Sequence, residues 1–356
     1  MLLQNQTLSF KYQTIDLPVV EVIPEIQVKL TTDTTLIVKA PPGAGKSTLV
    51  PLTLMNEPWL KGQKILMLEP RRLAAKTIAN RMADLLGEQL GESIGFRIRF
   101  ENRVGPNTQI EVVTEGILTR MIQQDNGLEG VGLVIFDEFH ERSIHADVAM
   151  ALCREAQQIL RPDLRIMVMS ATLDMPELSA MLNASVVISE GRQYPVEINY
   201  SGESDMRLLP ELAARVVKSA LQKHEGDILV FLPGQGEIRK CEEFLRSSIK
   251  GVMIHPLYGQ LPPNKQFAAI MPNREGKRKI VLATSIAETS LTIEGVKVVV
   301  DSGFGRTSRF DPNSGLSRLE TVQVSKDSAD QRAGRAGRLS AGVCYRMWTL
   351  ATQSRL

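Results

Sequence analysis

Cysteine is scarce in this sequence. The three present, Cys153, Cys241 and Cys344, form no C-x-x-C pair. That excludes a disulfide framework and a thiolate zinc site, and it fits a reducing compartment. Long apolar runs are missing too: none reaches the roughly 20 residues that cross a bilayer. Residues 1–16 are polar and lack the charged-then-apolar layout of a secretory leader. These absences predict a cytoplasmic protein with no membrane partner. A strong charge of one sign is also lacking. The net charge is +2, so any pull on nucleic acid must come from local basic stretches. The candidates are Arg71-Arg72, Arg97/Arg99/Arg103 and Arg274 to Lys279, and each taken singly is as readily a solvated face. There is no low-complexity tract and no short repeat. What remains is a chain of 356 residues, 43% hydrophobic and 23% charged, enough for two domains with cores of their own.

Short, β-branched apolar runs alternate with longer amphipathic ones. Leu36–Val38, Lys64–Leu68, Ile110–Val113, Leu133–Phe136 and Ile166–Met169 read as strands. Lys46–Met55, Leu73–Leu86, Ile117–Gln124 and Ala146–Leu160 read as the helices between them. Buried strands alternating with helices predict an α/β fold with a parallel sheet covered on both faces. A second series follows at Ile228–Leu232, Gly251–Ile254, Lys279–Leu282, Lys297–Val300 and Val343–Arg346, and the polar stretch Gly191–Asp205 reads as the linker. The expected organisation is an N-terminal extension over 1–16, a first lobe over 17–196 and a second over 203–356.

Ala40-Pro-Pro-Gly-Ala-Gly-Lys46-Ser47 lies between a strand and a helix. Gly43 and Gly45, flanking Ala44, admit backbone conformations closed to other residues, so main-chain N–H groups can close on phosphate oxygens at a helix N-terminus. Lys46 is placed for the β- and γ-phosphates of a nucleotide, Ser47 for Mg²⁺, and Thr48 completes the first turn. Ala40 stands where the phosphate-loop pattern begins with glycine, which alters the start of the loop.

Leu133–Phe136 ends at Asp137-Glu138-Phe139-His140. Carboxylates at the C-terminal end of a parallel strand sit where open α/β sheets bind ligands. Asp137, with Ser47 and Glu138 beside it, is the expected metal side. Glu138 is placed to activate water. His140 alone reads as a surface histidine; next to this pair it reads as a link to the second lobe. Far downstream, Gln331-Arg-Ala-Gly-Arg-Ala-Gly-Arg338 carries arginines at 332, 335 and 338, a spacing that predicts one helix face. Arginines brought to a phosphoryl-transfer site stabilise the charge of its transition state, which makes Gln331, Arg335 and Arg338 candidates. A basic helix end that binds phosphate without catalysis is the alternative.

With these strings in order, the chain resembles the superfamily-two helicases of the DEAH-box RNA helicase family over about Leu17 to Leu339. Within that family it looks most like the bacterial HrpB-type group, on Phe139, Val104–Thr108 and Arg309–Leu316. Glu69–Ala75 is similar to motif Ia, Thr114–Gly116 to motif Ib, Ser170–Thr172 to motif III, Phe231–Gln235 to motif IV and Ala283–Ile293 to motif V. The resemblance implies two RecA-like parallel-sheet domains, a P-loop NTPase helicase core, with a β-hairpin in the second built around Asp311-Pro-Asn-Ser-Gly315. It implies that Arg71, Arg72, Thr114 and Thr289 touch a nucleic-acid backbone. It implies that Arg81 stacks on the nucleotide base, and that Ser170 and Thr172 couple hydrolysis to lobe movement. A phenylalanine closes the base stack in relatives; Ile270 stands there here, so tolerance of several nucleotide triphosphates is expected.

The reading is thus an ATP- and Mg²⁺-dependent enzyme, a monomer acting on single-stranded or tailed RNA. Two alternatives stay open: a nucleotide- and RNA-binding module without productive unwinding, and a DNA translocase. Relatives continue into winged-helix, helical and oligonucleotide-binding-fold regions that this chain does not contain, so measurable hydrolysis with weak retention of the strand is expected.

Overall fold

The computed structural model describes residues 10–171, 175–191, 194–202, 205–271, 276–288, 293–312, 315–338 and 340–356. Two compact units divide the chain, residues 1–192 and 193–356.

In the first unit the apolar runs form β1 (Thr35–Lys39), β2 (Lys64–Leu68), β3 (Ile94–Ile98), β4 (Glu101–Arg103), β5 (Ile110–Val113), β6 (Val131–Phe136), β7 (Arg165–Ser170) and β8 (Ser185–Ile188). They make one sheet in the order β4-β3-β5-β2-β6-β7-β1-β8. Every pairing is parallel except that of β3 with β4. The helices are α1 (Ile23–Thr32), α2 (Lys46–Leu54), α3 (Arg72–Leu86), α4 (Glu115–Gln124), α5 (Ile144–Ile159) and α6 (Met175–Leu182). Side chains alternate across a strand, so each central strand feeds two cores. Ile37, Leu66, Leu68, Val134, Phe136 and Val168 pack with Leu118 and Ile122 of α4, Met150 and Cys153 of α5, and Leu178 and Leu182 of α6. Their neighbours Leu36, Val38, Ile65, Met67, Ile135 and Met167 are buried on the opposite face. All six positions of β6 are buried, which is why its sequence is a continuous apolar run instead of an alternating one.

The second unit contains β9 (Val196–Tyr200), α7 (Leu209–Lys223), β10 (Asp227–Phe231), α8 (Gln235–Arg246), β11 (Met253–Leu257), α9 (Pro263–Ile270), β12 (Lys279–Ala283), β13 (Val296–Asp301), β14 (Phe304–Asp311), β15 (Leu316–Gln323), α10 (Lys326–Ala333), β16 (Gly342–Arg346) and α11 (Leu350–Gln353). Six of these strands form an all-parallel sheet in the order β11-β12-β10-β13-β16-β9. β11 carries Pro256, which an edge strand tolerates because one row of its N–H groups has no ladder to serve. β14 and β15 pair antiparallel as a separate hairpin, with Phe310, Leu316 and Leu319 exposed near its tip. The expected hairpin is therefore present; Asn313 and Ser314 of its turn lie outside the described residues.

β9 falls inside the stretch read as a linker. It pairs with β16, Val196 opposite Gly342 and Tyr200 opposite Arg346, and so joins the second sheet. As a half-exposed edge strand it mixes polar with apolar side chains, which dilutes the periodic signal. The outer strands β3, β4 and β8 escaped the sequence reading as well.

Candidate functional site

The C-terminal ends of β2, β6, β7 and β1, adjacent in that order, deliver Glu69, Asp137, Ser170 and the phosphate loop to one edge of the first sheet. The loop is held on three sides. Ala40 N–H donates to the Ser170 carbonyl at 3.0 Å, Val19 N–H donates to the Ala44 carbonyl at 3.0 Å, and Thr48 Oγ1 donates to the Gly45 carbonyl at 3.3 Å. Gly43 and Gly45 have φ of 84° and 92°, the left-handed region that favours glycine. Gly45 is restricted twice over, since a Cβ there would lie 2.8 Å from Leu17 Cδ1. The glycine pattern is thus needed for the backbone path and for close packing. Ala40 is fully buried at the end of β1.

Lys46 opens α2 and is buried. Its Nζ lies 2.7 Å from Glu138 Oε1, with side-chain exposures of 3% and 7%. His140 Nε2 lies 3.4 Å from Glu138 Oε2. Burial pushes the imidazole below its ordinary range, against the pull of Glu138. Its Nδ1 has no hydrogen-bond partner among the described residues. Asp137 is fully buried. Burial and the neighbouring Glu138 raise its carboxyl to about 6 while Lys46 and the Ser47 hydroxyl oppose the rise. Asp137 Oδ1 accepts the Glu138 N–H at 2.8 Å, and Oδ2 has no hydrogen-bond partner among the described residues.

A hydroxyl and a carboxylate oxygen with a vacant lone pair therefore converge from Ser47 and Asp137. Hard oxygen donors of this kind fit Mg²⁺. Among the described residues no group of three or more His, Cys, Asp or Glu side chains is arranged to hold a metal by itself.

Glu69 was not singled out from the sequence. It is fully buried, its Oε1 accepts the Arg71 N–H at 3.3 Å, and its Oε2 has no partner among the described residues. Burial first, then Asp137, Glu138 and Glu141, pushes its carboxyl well above the usual range. A signal was available: like Asp137, Glu69 directly follows a buried parallel strand.

Of the residues expected on a nucleic-acid side, Arg71 is the N-cap of α3 and Arg72 its exposed first residue. Thr114 is the N-cap of α4. Arg81 stands on the exposed side of α3. Ser170 is buried, with its Oγ unpartnered among the described residues. Thr172 and Thr289 lie outside the described residues.

In the second unit the arginine string departs from expectation. α10 ends at Ala333, so of Gln331 and the three arginines only Gln331 and Arg332 are helical, while Arg335 lies in the turns that follow and Arg338 just beyond them. Glycine is a poor helix residue, and two within four positions end the helix. The arginines therefore do not share a helix face. Arg332 is buried, with Nη1 2.9 Å from Asp301 Oδ1, Nε 2.9 Å from Glu288 Oε2, and its guanidinium over the Phe231 ring at 4.9 Å. It is scaffold. Arg335 is also buried and donates Nε to the Glu288 carbonyl at 2.9 Å; Arg338 and Gln331 are partly exposed. Ile270 is 2% exposed, a core residue of its own unit.

Comparison with known proteins gives a consistent pattern. The family described as DEAD/DEAH box helicase matches residues 20–181, and the helicase conserved C-terminal domain matches residues 208–340. The chain is 53% identical over 329 residues to the ATP-dependent RNA helicase HrpB of Escherichia coli (strain K12), covering 92% of this chain and 40% of that protein. It is 38% identical over 341 residues to the ATP-dependent RNA helicase HrpA of Borreliella burgdorferi, covering 93% of this chain and 41% of that protein. The solved structure of Escherichia coli DEAH/RHA helicase HrpB superposes with a TM-score of 0.88 at 51% identity, over 95% of this chain and 43% of that one. The chain thus spans about two fifths of the length of these relatives.

Proposed function

The chain belongs to the DEAD/DEAH box helicases, and from that premise we propose that it is a nucleic-acid-stimulated ATPase, the core of an ATP-dependent RNA helicase. The observation that carries the proposal is the buried contact of Lys46 with Glu138 beside the half-vacant carboxylate of Asp137. When a nucleotide binds, the loop from Gly43 to Thr48 wraps its phosphates with main-chain N–H groups, and Lys46 exchanges Glu138 for phosphate oxygens. Ser47 and Asp137 would hold Mg²⁺, which would supply positive charge to the phosphate oxygens. Glu138, relieved of Lys46, accepts a proton from the water that attacks the γ-phosphorus. The bond to the β-phosphate oxygen breaks, leaving ADP and inorganic phosphate. His140, whose Nε2 lies 3.4 Å from Glu138 Oε2, orients Glu138. Arg335 and Arg338 stabilise the transition state.

Arg71, Arg72, Thr114 and Thr289 hold a single strand by its phosphates, so sequence preference is weak. Ser170 and Thr172 pass the nucleotide state to the strand. Arg81 supports the base, and several nucleotide triphosphates are accepted. RNA is the strand and the chain acts as a cytoplasmic monomer; no helix among the described residues is long and apolar enough to cross a membrane. The test is multiple-turnover ATP hydrolysis with and without single-stranded RNA, with single-stranded DNA as competitor and then with a duplex carrying a 3′ tail. RNA-stimulated turnover supports the proposal. Binding without turnover makes the chain a binding module, and preferential stimulation by DNA makes it a DNA translocase.

A further inference from the structure

The segment from Glu138 to Ser143 is tied down from two sides. Arg71 Nε donates to Glu141 Oε2 at 3.2 Å, while the Arg71 N–H is held by Glu69 Oε1 at 3.3 Å. The Ser143 hydroxyl donates to Glu115 Oε1 at 2.5 Å and accepts from Ala146 N–H, capping α5. Glu115 opens α4 directly after Thr114. Both loops proposed to touch the strand are therefore joined by side chains to the residues that begin with Glu138. Within this segment two residues that are not glycine, Glu138 and Arg142, take φ of 49° and 43°. Left-handed conformations at such residues persist only where the surroundings impose them. At the far end of the strap, Glu138 rests on Lys46.

We propose that Glu141 is a positioning residue: paired with Arg71, it holds the strap in the conformation that keeps Glu138 on Lys46, and a nucleic-acid phosphate that takes Arg71 from Glu141 releases Glu138 toward the attacking water. This rests on the ATPase reading above. The two ion pairs are unequal in a way that suits exchange. Lys46 and Glu138 are buried, whereas Arg71 and Glu141 are 32% and 20% exposed. A partly solvated pair is weakly held, and the planar guanidinium forks onto phosphate at least as well as onto carboxylate. Swapping partners at Arg71 thus costs little, while its consequence falls on a dry pair where displacement matters. Because linkage is reciprocal, nucleotide that displaces Glu138 from Lys46 also loosens Arg71 for the strand.

The experiment uses the full chain and a single-stranded oligouridine, with steady-state ATP hydrolysis measured in its absence and at saturation. Glu141→Gln is expected to raise the strand-independent kcat by about fivefold or more, with KM for ATP lowered because Glu138 no longer competes for Lys46, and to bring the stimulated-to-basal ratio close to one. Arg71→Gln breaks the same pair from the other side and is expected to raise the basal kcat similarly; it serves as the second variant should Glu141→Gln fold poorly. Glu141→Asp, which keeps the charge, restores part of the stimulation. The proposal is overturned if basal and stimulated rates fall together in both variants, as for a purely structural contact. It is overturned equally if Glu141→Gln keeps the parent ratio, or if oligouridine fails to stimulate the parent. Glu138→Gln in the same assay separates the two readings: normal hydrolysis by that variant sinks the ATPase assignment itself, whatever Glu141 does.

Discussion

Each parallel sheet ends in a cluster of buried charge, and the two clusters are balanced differently. At the edge of the first sheet, Glu69, Asp137 and Glu138 are all buried with one buried lysine, Lys46. At the edge of the second, Arg332 lies between Asp301 and Glu288 and over Phe231. In the first cluster burial and mutual repulsion push Glu69 and Asp137 upward. In the second, burial raises Asp301 as well, but Arg332 pulls against that rise, and Asp301 and Glu288 outweigh the burial of Arg332, so the guanidinium is held protonated more firmly than usual. A surplus of buried negative charge is a place prepared for cations and for proton transfer. A cluster in which one guanidinium ties both carboxylates is a joint. Proximity of acids and bases alone would not have told the two apart.

The widest test of this contrast uses two arginines of one string. Arg335→Ala is expected to cut turnover by about 10³-fold, with nucleotide affinity changed little in an equilibrium titration. Arg332→Met, which strands Asp301 without its cation, is expected to cost about 3–5 kcal/mol of stability in denaturant unfolding. Equal effects of both variants on turnover and on stability would erase the distinction between finger and joint.

A somewhat smaller effect sharpens the first cluster from within. Glu138→Gln is expected to keep nucleotide binding and to lose hydrolysis by about 100-fold or more. Lys46→Ala loses binding and turnover together, because its charge serves the phosphates in the ground state as well. Retained binding in the lysine variant, read by nucleotide titration, would reverse those roles.

The next test concerns stability and pH. The Asp137 carboxyl titrates at about 6 in the folded chain, above the ordinary 3.8. The folded state therefore holds that proton more tightly than the unfolded state. Its contribution to stability is fullest below pH 4 and is lost as the pH rises to about 6. Asparagine has no such loss. Asp137→Asn in nucleotide-free, chelator-treated protein is expected to be more stable than the parent at pH 7.5, on the order of 1–3 kcal/mol. The gain should shrink toward pH 4 in thermal or denaturant unfolding. A variant less stable at pH 7.5 would mean that the Asp137 carboxylate is already offset by its partners, as Asp301 is by Arg332.

The smallest expected effect is nucleotide choice. With Ile270 in the core of its unit, KM values for ATP, GTP and CTP are expected to lie within about tenfold of one another, a difference near 1.4 kcal/mol. A strong preference for ATP in competition would point to a base contact beyond Arg81.

The sequence by itself determined the elements and the chemistry that need only neighbours along the chain. β2 and β5 were legible to the residue because buried parallel strands are short apolar runs, and the phosphate loop was legible because a left-handed turn at Gly43 and Gly45 excludes most other residues. The placement of Asp137 and Glu138 followed from the strand before them. Tertiary structure alone decided what depends on strands far apart in sequence lying side by side. β2 and β6 are neighbours in the sheet, and only that brings Glu69 to Asp137 and Arg71 to Glu141. β9 was hidden because an edge strand needs just one apolar face, and its partner β16 lies at the other end of its unit. The spacing of Arg332, Arg335 and Arg338 suggested one helix face. The helix stops at Ala333, and Asp301 and Glu288, from β13 and the turn after β12, claim Arg332 for the interior. Charge acts through space, so whether a buried arginine is a tool or a joint is settled by which carboxylates the fold brings to it.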